Sequence, residues 1–194
     1  FHGTGREYFK IWIVNMALSI VTLGIFSAWA KVRSRRYFYG NTTIEGSSFE
    51  YLARAKQILA GRILVGALLI TMGVSAEALP VVYFILLGVI FVVSPWIIVK
   101  ALQFNARYSA FRNVRFAFTG TMRESYFIYL VLPLTLIFSI GLSLPYMEQR
   151  ARSFLFSGHR YGNQQLQDSL ESGPVYMIYL KMWALSAALI TPFA

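Results

Sequence analysis

Uncharged apolar runs of membrane length alternate along this chain with short basic segments, and that alternation predicts most of its elements. The run from Ile11 to Ala30 carries no charge and is rich in Ile, Val, Leu and Met. About 20 such residues at ~1.5 Å rise match the ~30 Å hydrocarbon core of a bilayer, so the run reads as a transmembrane helix. Trp12 and Trp29 sit near its ends, where an indole favours the headgroup layer, and Lys31, Arg33, Arg35 and Arg36 follow at once, marking a cytoplasmic exit. Further runs obey the same logic: Ile58 to Val74, interrupted only by Arg62 near its end; Pro80 to Val99; Tyr126 to Leu144, containing Pro133; and Pro174 to Ala194, containing Lys181. The pattern predicts an all-α, polytopic helical membrane protein of about five transmembrane helices, forming a single membrane domain over residues 1–194.

Between the runs lie two basic loops. In the first, Asn41-Thr42-Thr43-Ile44 and Ser48-Phe49-Glu50-Tyr51 flank Glu45-Gly46-Ser47, and β-favouring residues around a Gly-containing turn predict a short hairpin. In the second, Val114, Phe116 and Phe118 alternate with Arg115, Ala117 and Thr119 as a half-apolar strand would. Their cations assign both loops to the cytoplasm. The stretch from Met147 to Gly173 balances Arg150, Arg152 and Arg160 against Glu148, Asp168 and Glu171, and its neutrality predicts an outside loop.

Composition agrees with the pattern. The 194 residues are 57% hydrophobic and 13% charged, far from soluble averages. A net charge of +10 would suggest nucleic acid in a soluble protein, but here the cations sit between apolar runs, so no nucleic-acid partner is expected. The absence of cysteine excludes disulfides, thiol catalysis and thiolate metal sites. Because the chain opens on Phe1 and stops inside an apolar run, the expectation is that it is part of a longer protein.

Phe1-His2-Gly3-Thr4-Gly5-Arg6-Glu7 matches Phe118-Thr119-Gly120-Thr121-Met122-Arg123-Glu124. The register continues through Gly24 with Gly141, Ala28-Trp29 with Pro145-Tyr146, and Arg33 and Arg35 with Arg150 and Arg152. An internal duplication is expected, with units at about residues 1–46 and 118–163. Three spans between the starts would invert the second copy, as in many transporters. Parallel copies would instead require one apolar run to be re-entrant or to fail to cross.

Glu7-Tyr8-Phe9-Lys10-Ile11-Trp12-Ile13-Val14-Asn15, then Thr22 to Arg33 and Arg36-Tyr37-Phe38-Tyr39-Gly40-Asn41-Thr42, resemble the YjgN family of bacterial inner-membrane proteins, also called DUF898. Phe49-Glu50-Tyr51 and Gly61-Arg62 continue the likeness. The resemblance implies a multi-pass protein of the bacterial inner membrane, commonly longer than this chain. It implies no activity, cofactor or catalytic residue.

The residues themselves specify no reaction. His2 and His159 are the only imidazoles, and Ser157 and Asp168 near His159 do not by their spacing define a triad. No phosphate-binding Gly loop or zinc-protease helix pattern occurs, and no carboxylate lies in a predicted span. Catalytic, cofactor and metal residues are therefore none. Two candidate sets remain. Lys31, Arg33, Arg35 and Arg36 in one loop, with Lys100, Arg107, Arg112 and Arg115 in the other, are candidate contacts to anionic lipid. Asn15, Ser19 and Thr22, and likewise Thr135, Ser139 and Ser143, each share a helix face and are candidates for a polar path or helix contact. If those faces meet around water, the protein is a transporter or channel for a small solute; if they pack dry, it is a non-catalytic scaffold or lipid-interacting subunit of a membrane assembly. Expected partners are membrane lipids with anionic headgroups, and a second copy or complex subunit through small residues such as Ala184 and Ala188.

Overall fold

The computed structural model describes residues 1–139, 141–166 and 172–190. The protein is mostly helical and divides into two compact units, Phe1–Ile90 with Phe104–Ala117, and Phe91–Gln103 with Phe118–Ala194.

The first unit opens with α1 (Gly5–Val21), whose N-terminus is capped by the Thr4 hydroxyl accepting from the Glu7 N–H at 3.3 Å. The predicted transmembrane helix Ile11 to Ala30 is not one helix. α1 stops at Val21 and a second helix, α2 (Ser27–Gly40), begins after a turn. The Leu23 N–H donates to the Ile20 carbonyl at 3.1 Å and the Gly24 N–H to the Ser19 carbonyl at 2.7 Å, with φ positive at Leu23 (49°) and Gly24 (88°). This is a Schellman stop, and glycine supplies its second positive φ at little cost. Thr22 fastens both sides: its hydroxyl donates to the Leu18 carbonyl at 2.7 Å and accepts from the Phe26 N–H at 2.9 Å.

α1 and α2 run antiparallel. The His2 N–H donates to the Asn41 carbonyl at 2.9 Å, the Tyr37 hydroxyl donates to the Thr4 carbonyl at 2.9 Å, and the Tyr8 and Phe38 rings lie 4.6 Å apart. The start of α1 therefore meets the end of α2. The opposite end, the tip, is apolar and open, with Val21 79% and Leu23 94% exposed.

Both predicted cytoplasmic strand segments form. β1 (Thr43–Ile44) and β2 (Ser47–Tyr51) pair antiparallel around Glu45-Gly46, both at positive φ as a type I′ turn requires. β3 (Ser109–Phe111) and β4 (Val114–Phe118) repeat the device around Arg112-Asn113, and β2 pairs with β3 in the register Phe49 with Phe111 and Tyr51 with Ser109. Arg112 ties the two turns by an ion pair with Glu45 at 2.8 Å. Beneath the strands, Val32, Tyr51 and Ala53 are buried and packed by Tyr39, Ile58, Phe104 and Tyr108.

α3 (Ala55–Ala78) and α4 (Pro80–Arg107) contain the predicted runs Ile58 to Val74 and Pro80 to Val99. With mean hydropathies of 2.0 and 2.6, they are, among the described residues, the two helices long and apolar enough to cross a membrane, so about five spans is more than these residues support. Ile63, Leu64, Ile70, Val81 and Phe84 are exposed on them, as lipid-facing residues are. Pro95 inside α4 cannot donate to the Phe91 carbonyl, and the Ser94 hydroxyl does so instead at 2.9 Å.

In the second unit the predicted span Tyr126 to Leu144 is also broken. α5 (Met122–Tyr126) passes through a π-helical turn (Phe127–Val131) into α6 (Leu132–Phe138), and α7 (Leu144–Ser157) occupies much of the stretch predicted as an outside loop. The widened turn absorbs Pro133, with the Leu132 N–H reaching back to the Phe127 carbonyl. β5 (His159–Tyr161) and β6 (Gln164–Gln165) form a hairpin, followed by α8 (Ser172–Ile190). The last four residues of the predicted fifth span lie outside the described residues. Devices of the first unit recur at the spacing of the matched sequences: Thr121 caps α5 through the Glu124 N–H, the Gly141 N–H donates to the Leu136 carbonyl with φ of 87°, and the Thr119 N–H donates to the Gly158 carbonyl.

Candidate functional site

α2 carries cations on two faces, and each face borders a cavity of the first unit. Along one face run Phe26, Trp29, Arg33 and Arg36, which share a side because their spacing follows the helical period. With Val32, Arg54 and Ala55 they line a groove of about 460 Å³. The groove is graded: Phe26 and Trp29 lie toward the apolar tip, and Arg33 and Arg36 toward the strands. The Arg36 guanidinium faces the carbonyls of Tyr51 and Ala53 at 3.4 and 3.5 Å. Among the described residues no carboxylate lines the groove. Such a surface suits an amphiphile with an anionic head, whose charge meets the arginines while its chain follows the aromatics.

The other face presents Ser27, Ala30, Lys31 and Ser34 to a second, open cavity of about 300 Å³, bordered from α1 by Trp12, Asn15, Met16 and Ser19 and from α3 by Arg62. Arg62 donates to the Ser27 hydroxyl. Asn15 is only 5% exposed, and among the described residues neither its amide nitrogen nor its amide oxygen has a hydrogen-bond partner. Partial burial lowers the Lys31 pKa, and the neighbouring Arg35 and Arg62 charges lower it further.

The remaining candidates are dispersed. Arg35 donates to Asn105 Oδ1 at 2.8 Å and lies over the Tyr51 ring. Lys100 lies over Trp96, Arg112 is paired with Glu45, and Arg107 and Arg115 are exposed. Asn15 and Ser19 line the second cavity, but Thr22 belongs to the turn. Thr135, Ser139 and Ser143 bond to one another in the second unit, with Thr135 and Ser139 each reaching Ser143 at 3.1 and 2.9 Å. Near His159, the Ser157 hydroxyl donates to the Ser153 carbonyl at 2.6 Å, and Asp168 lies outside the described residues. Sequence reasoning missed Arg54, whose only signal is its position just before α3, and gave Arg62 no role beyond reaching the interface. Among the described residues no cluster of His, Cys, Asp and Glu is arranged to hold a metal.

The exposed apolar helices and the basic groove beside them are those of an integral membrane protein. Over residues 1–194 the chain matches the model of a bacterial protein family of unknown function, DUF898, and it belongs to that family. It is 32% identical over 145 residues to the inner membrane protein YjgN of Salmonella typhimurium, and 33% identical over 148 residues to that of Escherichia coli K12. These matches cover 74% and 73% of this chain but 37% and 36% of the relatives, so the chain spans well under half of their length. The chain is an integral protein of the bacterial inner membrane. No solved structure matches it.

Proposed function

We propose that this chain is a non-catalytic, lipid-interacting membrane module that holds an anionic lipid in the groove of Phe26, Trp29, Arg33, Arg36 and Arg54. The carrying observation is the grading of that groove from aromatic to cationic along α2, with no acid among the described residues that line it. The α1–α2 hairpin enters the leaflet by its apolar tip, which sets Trp29 at the acyl boundary and the arginines at headgroup level. Two copies of this hairpin module, related by duplication, account for the repeated caps and turns.

A solute path is less well supported. It needs the Thr135, Ser139 and Ser143 hydroxyls turned to water, whereas they satisfy one another across the α6–α7 turn. The test is native mass spectrometry of the purified protein released from phosphatidylglycerol-containing nanodiscs. At about 1 kcal/mol per cation, replacing Arg33, Arg36 and Arg54 by Gln should weaken retention on the order of a hundredfold. Retention equal to wild type would overturn the reading.

A further inference from the structure

We propose that the second cavity, on the opposite face of α2 from the groove, is a binding site for the phosphoglycerol group, with Lys31 and Arg62 meeting the phosphate and the Asn15 amide bridging phosphate and hydroxyl.

Charge comes first. Lys31 and Arg62 line the cavity, Arg35 stands one turn further along α2, and among the described residues no carboxylate shares the lining. Among the described residues the ion pairs are Arg112 with Glu45 and Arg152 with Glu148, so none neutralises this cluster. Converging like charges destabilise one another unless an anion joins them.

Asn15 narrows the ligand. A buried amide left without partners is destabilising, and buried amides are rarely left so. Both ends are unpaired among the described residues, so the complementary ligand presents an acceptor to Nδ2 and a donor to Oδ1. A phosphate oxygen and a neighbouring hydroxyl supply that pair. Ser27 and Ser34 add hydroxyls to the same wall.

The second copy of the hairpin argues that this polarity is not needed for folding. In the register set by Thr4 with Thr121 and Gly24 with Gly141, Asn15 falls on Leu132, Ser19 on Leu136, Ser27 on Leu144, Lys31 on Glu148 and Ser34 on Ala151. Leu132 is buried like Asn15. Where the first copy sets Lys31 beside Arg35, the second sets Glu148 against Arg152 at 2.8 Å. One hairpin thus folds with an apolar lining and a neutral pair, and the other keeps an amide, three hydroxyls and excess positive charge at the same positions. The difference is explained by a ligand of the first.

The test uses the purified protein in maltoside micelles, which carry no phosphate. Calorimetric titration with glycerol 3-phosphate probes the free ester, and native mass spectrometry after addition of phosphatidylglycerol to the Arg33, Arg36 and Arg54 to Gln variant, in which the groove has lost its cations, probes the same group as a headgroup. Binding in either arm is the expected result, and the arm that responds identifies the source; binding in neither overturns the proposal. Asn15→Leu with Lys31→Glu writes the second copy's residues into the first and should weaken binding at least tenfold with the thermal midpoint retained. Should that protein not fold, Asn15→Asp, nearly isosteric but anionic, should give the same loss. Wild-type affinity in either folded variant overturns the proposal. The Arg33, Arg36 and Arg54 to Gln variant should keep glycerol 3-phosphate binding, which separates this site from the groove.

Discussion

Lys31 is the residue whose chemistry is most constrained by its neighbours. Arg35 faces it along α2 and Arg62 from α3, while α1 offers only the uncharged Trp12, Asn15, Met16 and Ser19. Partial burial and then those two charges hold its pKa below the ordinary lysine value. An anion binds the protonated amine, so glycerol 3-phosphate affinity should be full below the lowered pKa and fall as pH rises through it. That fall begins at lower pH than for an ordinary lysine, whose amine titrates near 10.4. Lys31→Arg stays charged throughout, so its affinity should be flat between about pH 7 and 10. Parallel curves for the two proteins would remove Lys31 from the site.

At the level of elements, the hairpin depends on the turn between α1 and α2. Open space surrounds Gly24, so an added Cβ meets no atom within 4 Å and the constraint on this position is its φ of 88° alone. Gly24→Ala should destabilise the protein by about 1–2 kcal/mol. Gly66→Ala in α3, where space is equally open and φ is not positive, should leave stability unchanged or slightly raised. Thermal or denaturant midpoints of the two variants check the contrast, and equal midpoints would mean that the turn does not govern stability. The same turn explains what was legible in the chain. Hydropathy treats Thr22-Leu23-Gly24 as membrane-compatible, so the run from Ile11 to Ala30 read as one helix although its stop signal lay in its middle. Gly141 carries the corresponding turn inside the run Tyr126 to Leu144. The hairpin at Glu45-Gly46 was readable because turn chemistry is local, and the α3 and α4 runs because no turn interrupts them. Of the site, Lys31, Arg33 and Arg36 were visible as a charge cluster and Asn15 with Ser19 as a polar face. Arg54 and Arg62 join them only because α3 packs against α2, which no local pattern encodes.

At the scale of the whole molecule, the hairpin changes how the first unit meets the membrane. The apolar part of α1, from Ile11 to Val21, rises about 16 Å, roughly half the hydrocarbon thickness, whereas α3 rises about 36 Å. The His2 to Asn41 hydrogen bond returns the end of α2 to the start of α1, so a hairpin inserted by its tip, as proposed above, would leave the leaflet on the side it came from. A single span over Ile11 to Ala30 would instead put the two sides of the hairpin on opposite faces of the bilayer. The two arrangements separate cleanly by cysteine accessibility in oriented vesicles, since the chain has no native thiol. Single cysteines at Thr4 and Ser47 should label from the same side with a membrane-impermeant reagent, and one at Leu79, between α3 and α4, from the other. A cysteine at Leu23 should stay unlabelled from both sides if the tip, the most exposed apolar point of the hairpin, inserts in lipid as proposed. Labelling of Thr4 and Ser47 from opposite sides would restore the spanning helix. It would also remove the physical basis of the lipid groove, because Trp29 and the arginines beside it would no longer sit at the boundary between acyl chains and headgroups.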